Sequence, residues 1–195
     1  MFFALWPDVT VRAQLHALAQ TMHNDSGGRL IRLDHLHLTL VFLGNVARAR
    51  FSQLEAIAQE QCGIGFNLEF GNTGYWRHNR IVWAAPISVP DPLRELVAEL
   101  KRSLRQGGIR FDRRMHKNEH KNEHRNEHRN GHTNEHKNEY VPHITLIRDA
   151  RAPAALPMAD FGWRVTDFAL IESARGAKGA EYRVLARWPL HTDQR

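Results

Sequence analysis

The stretch His37-Leu38-Thr39-Leu40, within HLHLTLVFLG, alternates polar and apolar residues. The stretch His143-Ile144-Thr145-Leu146, within VPHITLIRD, repeats this pattern 106 positions later. Side chains of a β-strand alternate between its two faces. In each stretch the histidine and the threonine therefore share one face, while the apolar residues point into a core. Two such stretches predict a duplicated half-site, in which two imidazoles and two hydroxyls face each other across a cleft.

This set of side chains suits the cleavage of a phosphoester without a metal. Imidazole titrates near pH ~6.5, so one histidine can take a proton from an attacking oxygen while the other gives a proton to the departing oxygen. Threonine hydroxyls can donate hydrogen bonds to phosphate oxygens. A single His-x-Thr strand is more often an ordinary surface pair, and the second copy is what favours the catalytic interpretation.

The two motifs and their surroundings resemble the two-histidine phosphoesterase superfamily. Within it they look like the bacterial RNA 2′,3′-cyclic phosphodiesterases, historically called 2′-5′ RNA ligases. Segment 1–7 resembles the opening strand of that family, and segment 36–44 resembles its first motif. Segment 168–190 resembles its closing strand pair. The resemblance covers nearly the whole chain, except for residues 116–140.

The resemblance implies an α+β fold that is bilobal and pseudo-duplicated, with two antiparallel sheets lining a central cleft and helices outside. It also implies that the chain opens a 2′,3′-cyclic phosphate at an RNA end to leave a 2′-phosphate, with no cofactor and no metal. His37 would be the proton donor to the 3′ leaving oxygen, and His143 would be the proton acceptor that activates water. Thr39 and Thr145 would hold the phosphate. Reversal of this chemistry would join such an end to a 5′-hydroxyl by a 2′-5′ linkage.

Strict alternation also sorts the neighbours of the two motifs. His35 shares the face of His37, but His37 is the motif histidine because Leu-Thr-Leu follows it. Arg148 falls on the core side, so a contact with phosphate requires the strand to end or bulge first; it is kept as a phosphate-binding candidate. Weaker candidates are arginines for phosphates and aromatic residues for base stacking. They are Arg32, Arg113, Arg114, Arg175, Phe3, Tyr75, Trp76 and Trp83.

A tetrapeptide repeat, HKNE and its variants, interrupts the family pattern over residues 116–139. It has no aliphatic residue, and such a composition favours disorder or a frayed helix over a stable helix. We therefore interpret the chain as one two-lobed domain, 1–195, that carries an insertion. Histidines four residues apart can bind Zn²⁺, Ni²⁺ or Cu²⁺ adventitiously, but no cysteine accompanies them, which argues against a dedicated metal site.

The composition agrees with a soluble intracellular enzyme, which we expect to be cytoplasmic and monomeric. There is one cysteine, Cys62, so an intrachain disulfide is excluded and a reducing compartment is expected. No leader pattern or run of ~20 apolar residues suggests secretion or membrane insertion. The net charge is +6, from 27 basic and 21 acidic residues. The repeat is neutral apart from its histidines, so the surplus belongs to the rest of the chain, where it suits RNA as the partner.

Local patterns predict three helices and seven strands. The helices are expected over 8–22, 47–61 and 90–106, and residues 24–28 are expected to break the first. The strands are expected over 2–6, 36–43, 66–75, 81–85, 144–147, 165–173 and 182–188.

Two other functions stay open at the level of sequence. A phosphodiesterase for small cyclic nucleotides would use the same four motif residues and would differ in the length and charge of its groove. A non-catalytic protein that binds RNA or captures metal would be expected to lack one motif residue, whereas all four are present.

Overall fold

The computed structural model describes residues 1–61, 63–111, 140–176 and 179–191. The three helices are α1 (Val9–Ser26), α2 (Phe51–Gln59) and α3 (Asp91–Gln106). The strands are β1 (Phe2–Leu5), β2 (Arg29–Leu30), β3 (Leu38–Phe42), β4 (Phe66–Trp76), β5 (Ile81–Pro86), β6 (Ile144–Arg148), β7 (Phe161–Val165), β8 (Asp167–Gly176) and β9 (Gly179–Pro189). Short 3₁₀ turns lie at Leu33–His35 and Arg48–Arg50.

The strands form one antiparallel sheet in the order β7-β4-β5-β6-β3-β1-β8-β9, with β2 paired to β6. The two motif strands, β3 and β6, are neighbours at its centre, where Leu38 lies opposite Ile144. Each motif strand is followed outward by three more strands of its own half. The α+β class is thus confirmed, and the two predicted sheets are two halves of one sheet, joined at this pair.

One large core packs against one face of both halves. Helix α1 buries Val11, Leu15, Ala19 and Met22, which recur every three or four residues. The Asp8 side chain accepts a hydrogen bond from the backbone N–H of Val11 and so caps the helix start. Helix α3 buries a similar stripe: Leu93, Leu96, Val97, Leu100 and Leu104.

A second, smaller cluster lies on another face of the sheet. Phe2, Ala4, Ala169 and Ile171 are buried there, and Trp6, Phe42 and Tyr182 pack against them. The residues that alternate with them along the same strands, such as Phe3 on β1 and Leu170 on β8, belong to the large core. The half of the sheet that contains β1 is therefore apolar on both faces.

Several predicted boundaries differ from the structure. The first helix runs past Asn24 to Ser26 and ends at Gly27, whose φ of 60° is accessible to glycine at little cost. The predicted strand over 165–173 is divided at Thr166 into the end of β7 and the start of β8. Most of β7, and the two-residue β2, were missed, because each is too short to show a clear alternation.

The segment that holds the repeat begins and ends against one helix. The guanidinium of Arg105 lies 5.2 Å from the centre of the Phe111 ring, and the Lys101 ammonium lies 5.6 Å from that of Tyr140. Arg105 and Lys101 are one turn apart on α3. The repeat itself lies outside the described residues, so its predicted disorder and metal binding stay predictions.

No helix in the described ranges is long and apolar enough to cross a membrane.

Because both ends of the repeat segment are held on α3, we expect the chain to fold without residues 116–139. Replacing them with six Gly and Ser residues should leave cooperative unfolding and raise stability by roughly 1 kcal/mol or less, since a shorter loop loses less entropy on closure. Urea denaturation of the two proteins measures this. Loss of cooperative unfolding would show that the repeat is a structural part of the domain.

Candidate active site

The two motif strands have the same pattern of burial. In β3 the residues Leu38, Leu40 and Val41 are buried, while Thr39 and Phe42 are partly exposed. In β6 the equivalent positions are Ile144, Leu146 and Ile147, with Thr145 and Arg148 partly exposed. Two adjacent buried positions in each strand break the strict alternation that the sequence suggests.

A shift in strand register at the same place in each motif explains this pattern. Opposite β1, Val41 pairs with Phe3 and Thr39 pairs with Ala4, so Leu40 is an extra residue. Such a β-bulge reverses the faces of all residues beyond it. Val41 accordingly joins the core, and Phe42 turns to the face of Thr39.

The bulge in the second motif decides the position of Arg148. Opposite β5, Ile147 pairs with Val82 and Thr145 pairs with Trp83, which makes Leu146 the extra residue. Ile147 enters the core. The assignment of Arg148 to the core side by alternation was therefore wrong, and Arg148 lies on the face of Thr145. Its positive charge is close enough to His37 to lower the pKa of that imidazole.

Both motif histidines are oriented by the same hydrogen bond. His37 Nδ1 donates to the carbonyl oxygen of His35 at 2.7 Å, and His143 Nδ1 donates to that of Val141 at 3.0 Å. A carbonyl oxygen can only accept, so Nδ1 must carry the proton in each ring. Nε2 is then the nitrogen of each imidazole that is left to exchange a proton.

Aromatic rings surround His37. Trp6 stacks on it with ring centres 5.5 Å apart, Phe2 lies at 4.8 Å, and Tyr182 meets it edge-on at 5.2 Å. His143 is contacted edge-on by Trp76 at 4.5 Å, and Trp76 in turn packs on Trp83 at 5.3 Å. Both imidazoles are thus fixed by packing as well as by hydrogen bonds, and one tryptophan lies directly against each.

The surroundings of His37 favour its neutral form. The pKa of His37 is lowered from 6.5 to about 4. Burial is the largest cause, and the charges of Arg148 and His143 act in the same direction, while the hydrogen bond to the His35 carbonyl opposes them. His37 is therefore uncharged at neutral pH when no anion is present. An anion close to it would raise its pKa again, because opposite charge stabilises imidazolium.

His35 lies beside the site and contributes through its backbone. Its carbonyl oxygen accepts the hydrogen bond from His37, a role that any residue could fill. Its ring lies against Tyr182 with centres 4.8 Å apart, and burial lowers its pKa. That the His35 side chain takes no part in catalysis stays a prediction.

A hydrogen bond from a tyrosine links the two motif segments. The Tyr140 hydroxyl, three residues before His143, donates a hydrogen bond to the carbonyl oxygen of Thr39 at 2.8 Å. Burial raises the pKa of this phenol, so it stays a donor. Sequence reasoning placed Tyr140 only at the border of the repeat and missed this link.

The weaker sequence candidates differ in where the structure places them. Trp76 and Trp83 lie at the site, as described above. Phe3 is wholly buried in the core, and the Tyr75 hydroxyl donates to the carbonyl oxygen of Ala150, so the structure does not bring these two together with the motif residues. The Arg32 guanidinium is paired with Asp34. Arg113, Arg114 and the side chain of Arg175 lie outside what the structure describes.

The chain is similar to known phosphoesterases over almost its whole length. Residues 5–83 match the family described as LigT like Phosphoesterase. The RNA 2′,3′-cyclic phosphodiesterase of Escherichia coli (strain K12) is 30% identical over 193 residues, which is 97% of this chain and 96% of that protein. The chain belongs to the LigT-like phosphoesterases.

Further relatives of this LigT-like phosphoesterase agree with the assignment. The RNA 2′,3′-cyclic phosphodiesterase of Archaeoglobus fulgidus is 24% identical over 116 residues, covering 58% of this chain and 65% of that protein. The crystal structure of E. coli LigT complexed with 3′-AMP superposes with a TM-score of 0.76 at 27% identity, covering 97% of this chain and 96% of that one. Membership of the two-histidine superfamily, expected from the motifs, is thereby confirmed.

Three residues that contact His37 were missed as site residues, although the sequence contains a signal for two of them. Phe2 in β1 and Trp6, directly after β1, alternate with the core residues Phe3 and Leu5, so the period of two separates them. Tyr182 could not be found in this way, because it reaches His37 from β9, three strands beyond β3.

The lowered pKa of His37 makes a prediction about stability. Between pH 6.5 and 4 the unfolded chain binds a proton at this residue that the folded chain does not, so stability falls as the pH falls through this range. The part of the loss that is due to His37 should be roughly 3 kcal/mol at pH 4, so the total loss should be smaller by about this amount in His37→Gln. Urea denaturation at pH 7 and pH 4 measures it. His78→Gln, which removes an exposed histidine, is the control and should behave like the wild type; equal losses in all three proteins would contradict the burial of His37.

Proposed function

We propose that this LigT-like phosphoesterase hydrolyses the 2′,3′-cyclic phosphate ends of RNA to 2′-phosphates, without a metal. The observation that carries the proposal is the matched pair of imidazoles, each held through Nδ1 by the backbone carbonyl oxygen two residues before it. The name of the E. coli relative and the 3′-AMP bound to E. coli LigT support the choice of substrate.

In the proposed reaction His143 is the general base and His37 the general acid. Nε2 of His143 takes a proton from water as the water oxygen attacks phosphorus. The bond between phosphorus and O3′ then breaks, and Nε2 of His37 protonates the departing O3′. The phosphate stays on O2′, and one proton has moved at each histidine.

We assign the binding of the phosphate to Thr39, Thr145 and Arg148. Both threonines are partly exposed on the face of the motif histidines, and neither hydroxyl has a hydrogen-bond partner among the described residues. Arg148 shares that face because of the bulge at Leu146. Two hydroxyls and a guanidinium can together bind the oxygens of the cyclic phosphate.

The lowered pKa of His37 fits its role as the acid only if bound substrate raises that pKa. The cyclic phosphodiester carries a negative charge, which raises the pKa of a nearby imidazole. Binding of substrate would then protonate the acid, while water held near His143 loses its proton to the base. Proton uptake is thus coupled to substrate binding.

The remaining parts of the proposal follow from the chain as a whole. Reversal of the reaction would join a cyclic phosphate end to a 5′-hydroxyl. We further propose that the chain acts as a monomer in the cytoplasm and forms one two-lobed domain over 1–195, interrupted by the insertion at 116–139.

A product assay tests the reaction. An oligoribonucleotide with a 2′,3′-cyclic phosphate end should give only the 2′-phosphate, and the rate should be the same in excess EDTA, because imidazoles move both protons. Separation of the 2′-phosphate and 3′-phosphate products by chromatography identifies the broken bond. Activity that is lost in EDTA and restored by Zn²⁺ or Mg²⁺ would replace the base by metal-activated water.

Substitution of the histidines tests the division of roles. His37→Ala and His143→Ala should each lower kcat by roughly 10²-fold or more, the usual size of a general acid–base contribution, and His35→Ala should have a small effect. A phosphodiester with a nitrophenolate leaving group needs no protonation of that group. It should restore turnover by His37→Ala and not by His143→Ala; restoration of both, or of neither, would contradict the assignment.

A further inference from the structure

A polar cavity of about 190 Å³ lies beside the candidate active site. Trp6, whose ring stacks on His37, forms part of its wall. Three arginines from three different elements also line it: Arg12 on α1, Arg164 on β7 and Arg187 on β9. The role of the cavity is not explained by the chemistry of the two histidines.

Two residues of the cavity wall, Arg187 and Asp167, lie on the same face of the sheet as His37. Ala169 belongs to the small cluster on that face, together with Phe2 and Ala4. Arg187 lies directly opposite Ala169, and paired residues of an antiparallel ladder share a face. Asp167 shares it too, since it is two residues before Ala169. The cavity and the active site are therefore neighbouring parts of one surface, with Trp6 between them.

Two of the three arginines that line the cavity are available to bind a ligand. Arg187 is paired with Asp167 at 2.9 Å. The Asp8 carboxylate caps helix α1. Among the described residues, Arg12 and Arg164 form no ion pair; Arg12 donates to the Asp8 carbonyl at 3.3 Å and Arg164 to the Asn67 side chain at 3.4 Å, both long hydrogen bonds. Two guanidiniums with weak neutral partners suit a phosphate.

We propose that this cavity binds an internucleotide phosphate of the RNA strand, on the 5′ side of the cyclic phosphate. This inference rests on the proposed function. The cyclic phosphate is the 3′ end of its strand, so the rest of the RNA can leave the active site only in the 5′ direction. A strand that passes Trp6 brings a backbone phosphate to Arg12 and Arg164. The arginine cavity, as we name it, thus selects RNA over small cyclic nucleotides.

The test compares two substrates with and without this phosphate. One is a 2′,3′-cyclic mononucleotide, which has no phosphate on the 5′ side, and the other is a short oligoribonucleotide with the same cyclic end. In the double variant Arg12→Gln/Arg164→Gln, kcat/KM for the oligonucleotide should fall roughly tenfold or more, the usual effect of losing charged hydrogen bonds. For the mononucleotide it should change less than twofold.

Salt dependence and a neutral substrate identify the contact. The slope of log kcat/KM against log salt should fall by about 0.7 for each phosphate contact that the variant loses. Replacing single internucleotide phosphates by uncharged methylphosphonates should reproduce the loss in the wild type at one position, and should have no effect there in the double variant. Arg102→Gln, on helix α3, removes a positive charge away from the cavity; it is the control for such a loss and should behave like the wild type with both substrates.

Each outcome bears on one proposal. Equal losses on both substrates would make the two arginines structural and overturn the arginine cavity as a subsite. Unchanged kinetics on both, or a methylphosphonate effect that persists in the double variant, would also overturn it. If the wild type hydrolyses neither substrate, the proposed function fails, and the arginine cavity fails with it. If the wild type hydrolyses both and only the variant result disagrees, the function stands without the subsite.

Discussion

The pairing of β3 with β6 at the centre of the sheet is the contact on which the rest of the structure depends. Leu38 and Ile144 each follow a motif histidine directly, and they lie opposite each other in this pair. The antiparallel pairing therefore brings the two motifs together from positions 106 residues apart. Since each motif strand is also the innermost strand of its own half, the two halves and the two half-sites meet at the same place. The hydrogen bond from Tyr140 to Thr39 supports this junction from the side.

The two β-bulges give this junction its chemical asymmetry. Without them, Phe42 and Arg148 would point into the core, where a guanidinium would have to be buried at a high cost in free energy. With them, the two equivalent positions turn to the face of the histidines, one with an aromatic ring and the other with a positive charge. The aromatic side of the site surrounds His37 and lowers its pKa. The two histidines, alike in sequence and in their Nδ1 hydrogen bonds, thus differ in the side chains that the bulges place near them, which supports the opposite roles in proton transfer that we propose.

Positive charge is arranged around the site on several elements. Arg148 approaches from the second motif strand, and the arginine cavity lies on the other side of Trp6. A polyanion bound along this surface would meet cations at its end and along its backbone. Some of the basic residues behind the net charge of +6, which the repeat does not account for, thus lie where a nucleic acid is proposed to bind.

The sequence by itself determined the family, the α+β class, the extent of most helices and strands and the four motif residues, because these depend on local periodicity and on a short motif that occurs twice. It did not reveal the face of Arg148, since a bulge depends on the register between strands and leaves the alternation of residues unchanged. It did not reveal the proximity of Tyr182 to His37 or of Arg12 to Arg164, because these residues come from separate elements that only the curved sheet brings together. The lowered pKa of His37 likewise required the tertiary structure, since burial by rings from β1 and β9 is a property of the folded chain and not of the motif.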